Sequence, residues 1–170
     1  MDLTNFIRNI PDFPKPGIQF KDITPLLASP QAFRYVVDQL VDRYRDSKLE
    51  AIAAAEARGF LFAAPMALAL NTALVPLRKP GKLPYTTLSH AYDLEYGSAE
   101  LHMHIDAVRP GTRVLLVDDV LATGGTMKAA VDLVKKAGGE VVGCAFLMEL
   151  TFLEGRARLA PAEVFSLLSY

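Results

Sequence analysis

Residues 114–126, VLLVDDVLATGGT, constrain the fold of this chain more than any other stretch. Val114, Leu115, Leu116 and Val117 form an unbroken apolar run, the pattern of a strand buried on both faces, as in a parallel sheet. Asp118 and Asp119 follow where that strand is expected to run out, and Thr123, Gly124, Gly125 and Thr126 lead into a helix expected from Met127. Strand, paired acids, glycine loop and helix, in that order, make a seat for a phosphorylated sugar. The glycines let successive N–H groups converge on one anion, and the helix N-terminus adds partial positive charge. The threonine hydroxyls can donate to phosphate oxygens. The carboxylates would repel that phosphate, so they suit sugar hydroxyls or a divalent cation. An ordinary glycine turn is the plainer reading of the loop by itself, and the acids and buried strand before it argue against that. No Gly-Lys-Ser/Thr follows, which excludes the nucleotide-binding P-loop.

A length of 170 residues suits a single domain, 1–170, with a sizeable core, and an apolar content of 51% argues against disorder. The net charge of −1 carries no electrostatic footprint for nucleic acid. A single cysteine, Cys144, excludes an intrachain disulfide and fits a reducing compartment. The first residues lack the basic start and apolar run of a secretory leader. The longest mostly apolar stretch, 60–70, falls short of the ~20 residues that span a membrane.

Pro11, Pro14, Pro16 and Pro25 predict a loop-rich region over residues 1–28. Phe20, read by itself, is a core plug. Ser29 and Pro30 start a helix whose apolar face comprises Phe33, Val36, Val37, Leu40, Val41 and Tyr44. Residues 51–55 read as a small-residue strand, 60–70 as a buried helix despite Pro65, and 73–77 as a second buried strand. The alternation predicts an α/β domain with a largely parallel sheet. Arg58, Arg78 and Lys79 then lie at strand exits, on the sheet edge that also carries Asp118 and Thr123. Each alone reads as a solvated charge; together they favour a binding edge.

Residues 80–93 show little apolar periodicity and are expected to form a long mobile loop, with Lys82 and Tyr85 as its candidate contacts. Ala99, Leu101, Met103 and Ile105 alternate with Glu100, His102 and His104, a half-exposed strand. A metal held by His102 and His104 lacks a third ligand in register, and a wet strand face accounts for both. Residues 141–148 and 164–168 read as further strands, with Arg156 and Arg158 between them expected to be solvated.

The 114–126 segment resembles the phosphoribosyl-pyrophosphate signature of type I phosphoribosyltransferases. Nearly the whole chain supports a narrower resemblance. FPKPGI at 13–18, FKDITPLL at 20–27, EARGF at 56–60, RKPGKLP at 78–84, LEYG at 94–97 and VDDVLATGGT at 117–126 are similar, in order, to the adenine branch of that family. The resemblance implies an α/β type I phosphoribosyltransferase fold: a mostly parallel sheet flanked by helices, an N-terminal hood over the base and a lid at 80–93. It implies purine salvage by a cytoplasmic homodimer that uses Mg2+, converting adenine and phosphoribosyl pyrophosphate to AMP and pyrophosphate, without nucleic-acid or membrane partners.

By that resemblance Asp118 and Asp119 would hold the ribose hydroxyls, and Ala122, Thr123, Gly124, Gly125 and Thr126 would cradle the 5′-phosphate. Glu56, Ala57, Arg58 and Gly59 would form the pyrophosphate loop, joined by Arg78, Lys79 and Lys82. Phe20 would stack on adenine opposite Leu150, with Ile18 and Lys21 beside it. Glu95 would protonate the base ring, with Tyr96 adjacent and Arg58 completing the catalytic group. Mg2+ would be held mainly by the substrate, with Asp118 and Asp119 reaching it through water. Lys21 stands where some relatives carry arginine and lacks the planar fork. Two other readings stay open on the sequence: an enzyme for 6-oxopurines, and a ligand-sensing regulator that binds nucleic acid. A basic face or an appended DNA-binding segment would mark the regulator.

Overall fold

The computed structural model describes residues 1–93 and 98–170. The described residues form two compact units, Met1–Leu40 and Val41–Tyr170. The first unit holds more regular structure than its prolines suggest. A 3-10 turn, Leu3–Phe6, is capped by the Asp2 carboxylate, which accepts from the Thr4 amide at 3.0 Å. Strands β1 (Arg8–Ile10) and β2 (Phe20–Asp22) pair antiparallel, and a short helix α1 (Thr24–Ala28) follows. The prolines Pro11, Pro14 and Pro16 fall in the connection between the two strands, where no ladder N–H is needed. Helix α2 (Pro30–Tyr44) starts as expected, with the Ser29 hydroxyl accepting from the Ala32 amide at 3.3 Å. It buries Val36, Leu40, Val41 and Tyr44.

The second unit is built on a five-stranded parallel sheet in the order β4-β3-β7-β8-β9. Its strands are β3 (Ala51–Ala55), β4 (Ala73–Leu77), β7 (Arg113–Leu121), β8 (Glu140–Glu149) and β9 (Val164–Ser169). A separate antiparallel hairpin joins β5 (Thr87–Asp93) to β6 (Ser98–His104). Helices α3 (Gly59–Leu70), α4 (Gly125–Lys136) and α5 (Gly155–Leu159) complete the unit. No helix among the described residues is long and apolar enough to cross a membrane.

Three expectations change. Residues 73–77 do form a strand, but β4 is a sheet edge, so only Val75 and Leu77 are buried and Leu74 is exposed. The expected 80–93 loop is shorter, because Thr87–Asp93 pairs with Ser98–His104 as strand β5. Leu88, His90 and Tyr92 alternate there, a period-2 signal diluted by polar residues. The alternation in β6 holds, with Leu101 and Met103 buried, while Ile105 lies beyond the strand and is exposed. His102 and His104 do share a face, but their rings are engaged locally. His102 Nδ1 lies 3.0 Å from the Thr87 hydroxyl, and His104 Nε2 accepts from the Tyr85 amide at 3.3 Å.

The third change concerns the central strand. β7 does not stop at Val117. Its pairing with β3 ends there, at Ala54, but its pairing with β8 continues to Leu121 opposite Glu149. The two acids therefore lie inside a strand that is paired on one side and open on the other. Phe146, fully buried on β8 between β7 and β9, anchors the other side of this arrangement. Phe146→Ala should cost about 3–5 kcal/mol in denaturant unfolding, the usual range for deleting a buried phenyl group.

Candidate active site

The carboxyl ends of β3 and β7 deliver their loops to one cleft of about 270 Å³. Its walls are Glu56, Ala57 and Arg58 after β3, Asp118 to Leu121 on β7, and the 122–126 loop with Met127. The structure thus gathers the acids, the glycine loop and Arg58, which stand far apart in sequence.

Each wall has a local reason. Gly124 adopts φ +80°, a left-handed conformation that a side chain would strain, and it turns the chain into α4. No side chain among the described residues caps that helix start, and the first amides of a helix have no acceptor within it. Gly59 opens α3 at a point where a β-carbon would lie 3.0 Å from both the Val117 carbonyl oxygen and the Asp118 carboxylate. Glycine there lets the 56–58 loop fold against the open side of β7.

The charges are coupled. Asp119 is 3% exposed, and the Arg58 guanidinium donates to its carboxylate. The acids were expected past the end of the strand; Asp119 is instead a buried charge within it, and its partner comes from another loop. The Asp118 carboxylate accepts from the Asp119 amide at 2.8 Å. Burial, and then the neighbouring Asp119 charge, push the Asp118 carboxyl well above the usual carboxylate range.

Glu56 ties the β3 exit to the β4 exit. It accepts from the Lys79 amide at 2.6 Å and pairs with the Arg78 guanidinium at 3.4 Å. The Lys79 amide, and then Arg78, hold its carboxyl below the usual range. Arg78 also forms a backbone bridge to His102, with N···O distances of 2.9 and 2.7 Å. Arg78 and Lys79 therefore border the 56–58 loop without lining the cleft. Lys82 is exposed, and its carbonyl receives a 3.4 Å contact from Arg78.

Of the residues expected around a base, Ile18, Phe20 and Lys21 belong to the N-terminal unit. Ile18 is exposed, Phe20 meets Phe13 edge-on at 5.1 Å, and Lys21 donates to Asn9 at 2.7 Å. Leu150 follows β8 in the second unit, its amide donating to the Leu121 carbonyl at 2.9 Å. Glu95 and Tyr96 lie outside the described residues.

Two features escaped the sequence. The Tyr92 hydroxyl on β5 lies 3.3 Å from the Thr126 hydroxyl, linking the hairpin to the first turn of α4. The alternation of Leu88, His90 and Tyr92 was the only signal for it. Arg156 is half exposed, as expected, and it also grips the buried Glu149 through two nitrogens, at 3.1 and 2.5 Å. Arg156 and the Ser166 hydroxyl hold the Glu149 carboxyl below the usual range.

The raised Asp118 carboxyl has a consequence for stability. Above the usual carboxylate range the unfolded chain releases this proton while the folded chain retains it. Folding stability is therefore lost as pH rises from the unfolded toward the folded value, and is fully present at lower pH. Asp118→Asn, neutral throughout, should make the free protein more stable than the unmodified chain at neutral pH. Thermal melts should show that difference closing as pH falls below ~4.

Comparisons with known proteins agree with this geometry. Residues 22–163 match the phosphoribosyl transferase domain. The chain is 58% identical over 168 residues to the adenine phosphoribosyltransferase of Maridesulfovibrio salexigens, covering 99% of both chains. The crystal structure of the adenine phosphoribosyltransferase from Thermoanaerobacter pseudethanolicus superposes with a TM-score of 0.96 at 52% identity, over 99% of this chain and 98% of that one. The Saccharomyces cerevisiae enzyme was solved with an imino-altritol bisphosphate and adenine, and it superposes with a TM-score of 0.93 at 38% identity, over 98% and 97% of the two chains. Identity of this extent over the full length places the chain in the phosphoribosyltransferase family, among the adenine phosphoribosyltransferases.

Proposed function

We propose that the cleft beyond β3 and β7 is where this chain transfers the 5-phosphoribosyl group from phosphoribosyl pyrophosphate to adenine, giving AMP and pyrophosphate. The observation that carries the proposal is the convergence of Arg58, Asp118, Asp119 and the 122–126 loop on one cleft. Backbone amides of the loop, the start of α4 and the Thr123 and Thr126 hydroxyls suit a 5′-phosphate. Asp118 and Asp119 suit the ribose hydroxyls beside it. Arg58 suits the leaving pyrophosphate, and the resemblance adds Arg78, Lys79 and Lys82 from beyond the cleft walls.

The reaction builds negative charge on pyrophosphate as the ribose carbon becomes electron-poor. A fixed guanidinium at Arg58 stabilises that charge without reorganising at the moment of reaction. Its bond to Asp119 aims it before substrate arrives. A closed lid would exclude water, which competes with adenine as a nucleophile. Glu95, with Tyr96 beside it, is the proposed acid that holds a proton at the imidazole ring of the base.

A divalent cation fits the donor set. Asp118 and Asp119 are hard oxygen donors, and no group of three or more ligating side chains exists among the described residues. Such a site suits Mg2+ held mainly by substrate oxygens, with the two acids reaching it through water. When bound, the ion supplies additional neutralisation of the pyrophosphate charge.

A cytoplasmic homodimer is part of the proposal. The exposed Leu61 and Leu68 on α3 and Leu74 on the β4 edge offer apolar area for a second copy. The one cysteine, Cys144, is buried and free.

Adenine contacts are proposed for Ile18, Phe20, Lys21 and Leu150, with selectivity set by hydrogen-bond polarity. Adenine presents an amine donor beside an unprotonated ring nitrogen, and hypoxanthine and guanine present the reverse. Main-chain groups of the 18–21 segment that match adenine would be left unpaired by a 6-oxopurine, a mismatch able to discriminate by ~10⁴-fold. Nucleotide formation with Mg2+ and phosphoribosyl pyrophosphate should therefore be rapid with adenine and nearly absent with hypoxanthine or guanine. Comparable efficiency with hypoxanthine would overturn the base assignment. Glu95→Gln should lower kcat, on the order of 10²-fold or more, while leaving the affinity for phosphoribosyl pyrophosphate largely unchanged. Near-native turnover in that variant would assign the proton to another group.

A further inference from the structure

The 122–126 loop has a shape its own residues do not fully impose. The backbone of α5 presses on it from outside the cleft. A β-carbon on Gly155 would lie 2.2 Å from the Ala122 carbonyl oxygen and 3.1 Å from the Gly124 amide nitrogen. In return, a β-carbon on Gly124 would lie 2.7 Å from the Gly155 carbonyl oxygen. The two glycines meet backbone to backbone, and no side chain fits between them.

Something must hold α5 at this distance, since a five-residue helix has little stability of its own. Arg156, the next residue, provides it. Besides its two bonds to Glu149, it donates to the Val164 carbonyl at 2.7 Å. Glu149 is 5% exposed and ends β8 directly opposite Leu121, the residue before the loop. The Ser166 hydroxyl also donates to it, at 3.2 Å. One guanidinium thus binds the start of α5 to β8 and β9, while the strand position opposite Glu149 feeds the loop.

We infer that Gly155 and Arg156 are positioning residues for the phosphate loop: Gly155 is its backstop and Arg156 fixes that backstop to the sheet. This rests on the loop being the 5′-phosphate site, and it adds residues outside the cleft walls. The loop amides bind an anion only if they converge. A side chain at position 155 must displace the Ala122 carbonyl by about an ångström to reach ordinary contact, and a misplacement of that size can cost on the order of 10²-fold. The loss should be confined to ligands that carry the 5′-phosphate. Pyrophosphate, assigned to the 56–58 loop, is the internal control.

The test compares the unmodified chain with Gly155→Ala and Arg156→Lys. Titration calorimetry measures AMP and pyrophosphate affinities, steady-state kinetics give KM for phosphoribosyl pyrophosphate and kcat, and thermal melts report folding. Arg156→Lys keeps the charge beside buried Glu149, so it is the variant that decides should Gly155→Ala fail to fold. It loses the fork that reaches Glu149 and Val164 together. In folded variants AMP affinity should fall about tenfold or more in Gly155→Ala and several-fold in Arg156→Lys, with KM for phosphoribosyl pyrophosphate rising in parallel. Pyrophosphate affinity should stay within about twofold. AMP affinity unchanged in folded variants, or AMP and pyrophosphate affinities falling together, would overturn the inference. Failure of the unmodified chain to bind AMP would overturn the reading of the cleft itself, and the inference with it.

Discussion

The unequal reach of two neighbouring parallel strands governs this molecule. β7 pairs with β3 only as far as Val117 but with β8 as far as Leu121. Along the difference the strand keeps a rigid backbone on one side and presents an open side on the other. Asp118 and Asp119 occupy that stretch, so they are held by a ladder yet remain within reach of a ligand. A loop in their place would be mobile, and a strand paired on both sides would leave little room. The general rule that ligands bind beyond the carboxyl ends of parallel strands here takes a specific form.

Placing two carboxylates there carries an electrostatic cost that the rest of the site answers. Asp119 is buried, and a buried charge without a partner is costly, which gives Arg58 a structural duty in addition to any catalytic one. Among the described residues Asp118 finds no partner of equal strength, and its carboxyl is pushed upward instead. One acid is thus neutralised by a neighbouring loop and the other resists ionising. Both arrangements keep the negative charge of the cleft low before an anionic substrate arrives. Glu56 repeats the theme one strand over, where its bonds to the Lys79 amide and Arg78 anchor the loop that carries Arg58.

The parts written as local patterns were legible. Val114 to Val117 read as a buried strand because burial on both faces demands an apolar run. The glycine turn into α4 and the Ser29–Pro30 helix start read correctly because capping and left-handed conformations restrict residue type. The hairpin strand β5 was missed because Ser89, His90 and Asp93 dilute its alternation and its partner lies beyond the intervening 94–97. The edge position of β4 was missed because a run such as Ala73 to Leu77 looks the same in a central strand and an edge strand until its neighbours are known.

By itself, then, the sequence determined the class of fold, the seat for a phosphorylated ligand and the family it resembles. Those depend on interactions between residues close in the chain, or on motifs whose residue types are dictated by the ligand. The tertiary structure alone decided how far β7 extends, that Arg58 bonds Asp119, and that Arg156 grips Glu149 behind the loop. These are pairings across sequence distance, and a charged residue looks the same in the chain whether it faces water or a buried partner. Which state it adopts is settled by the desolvation of its surroundings, a property of the packed molecule.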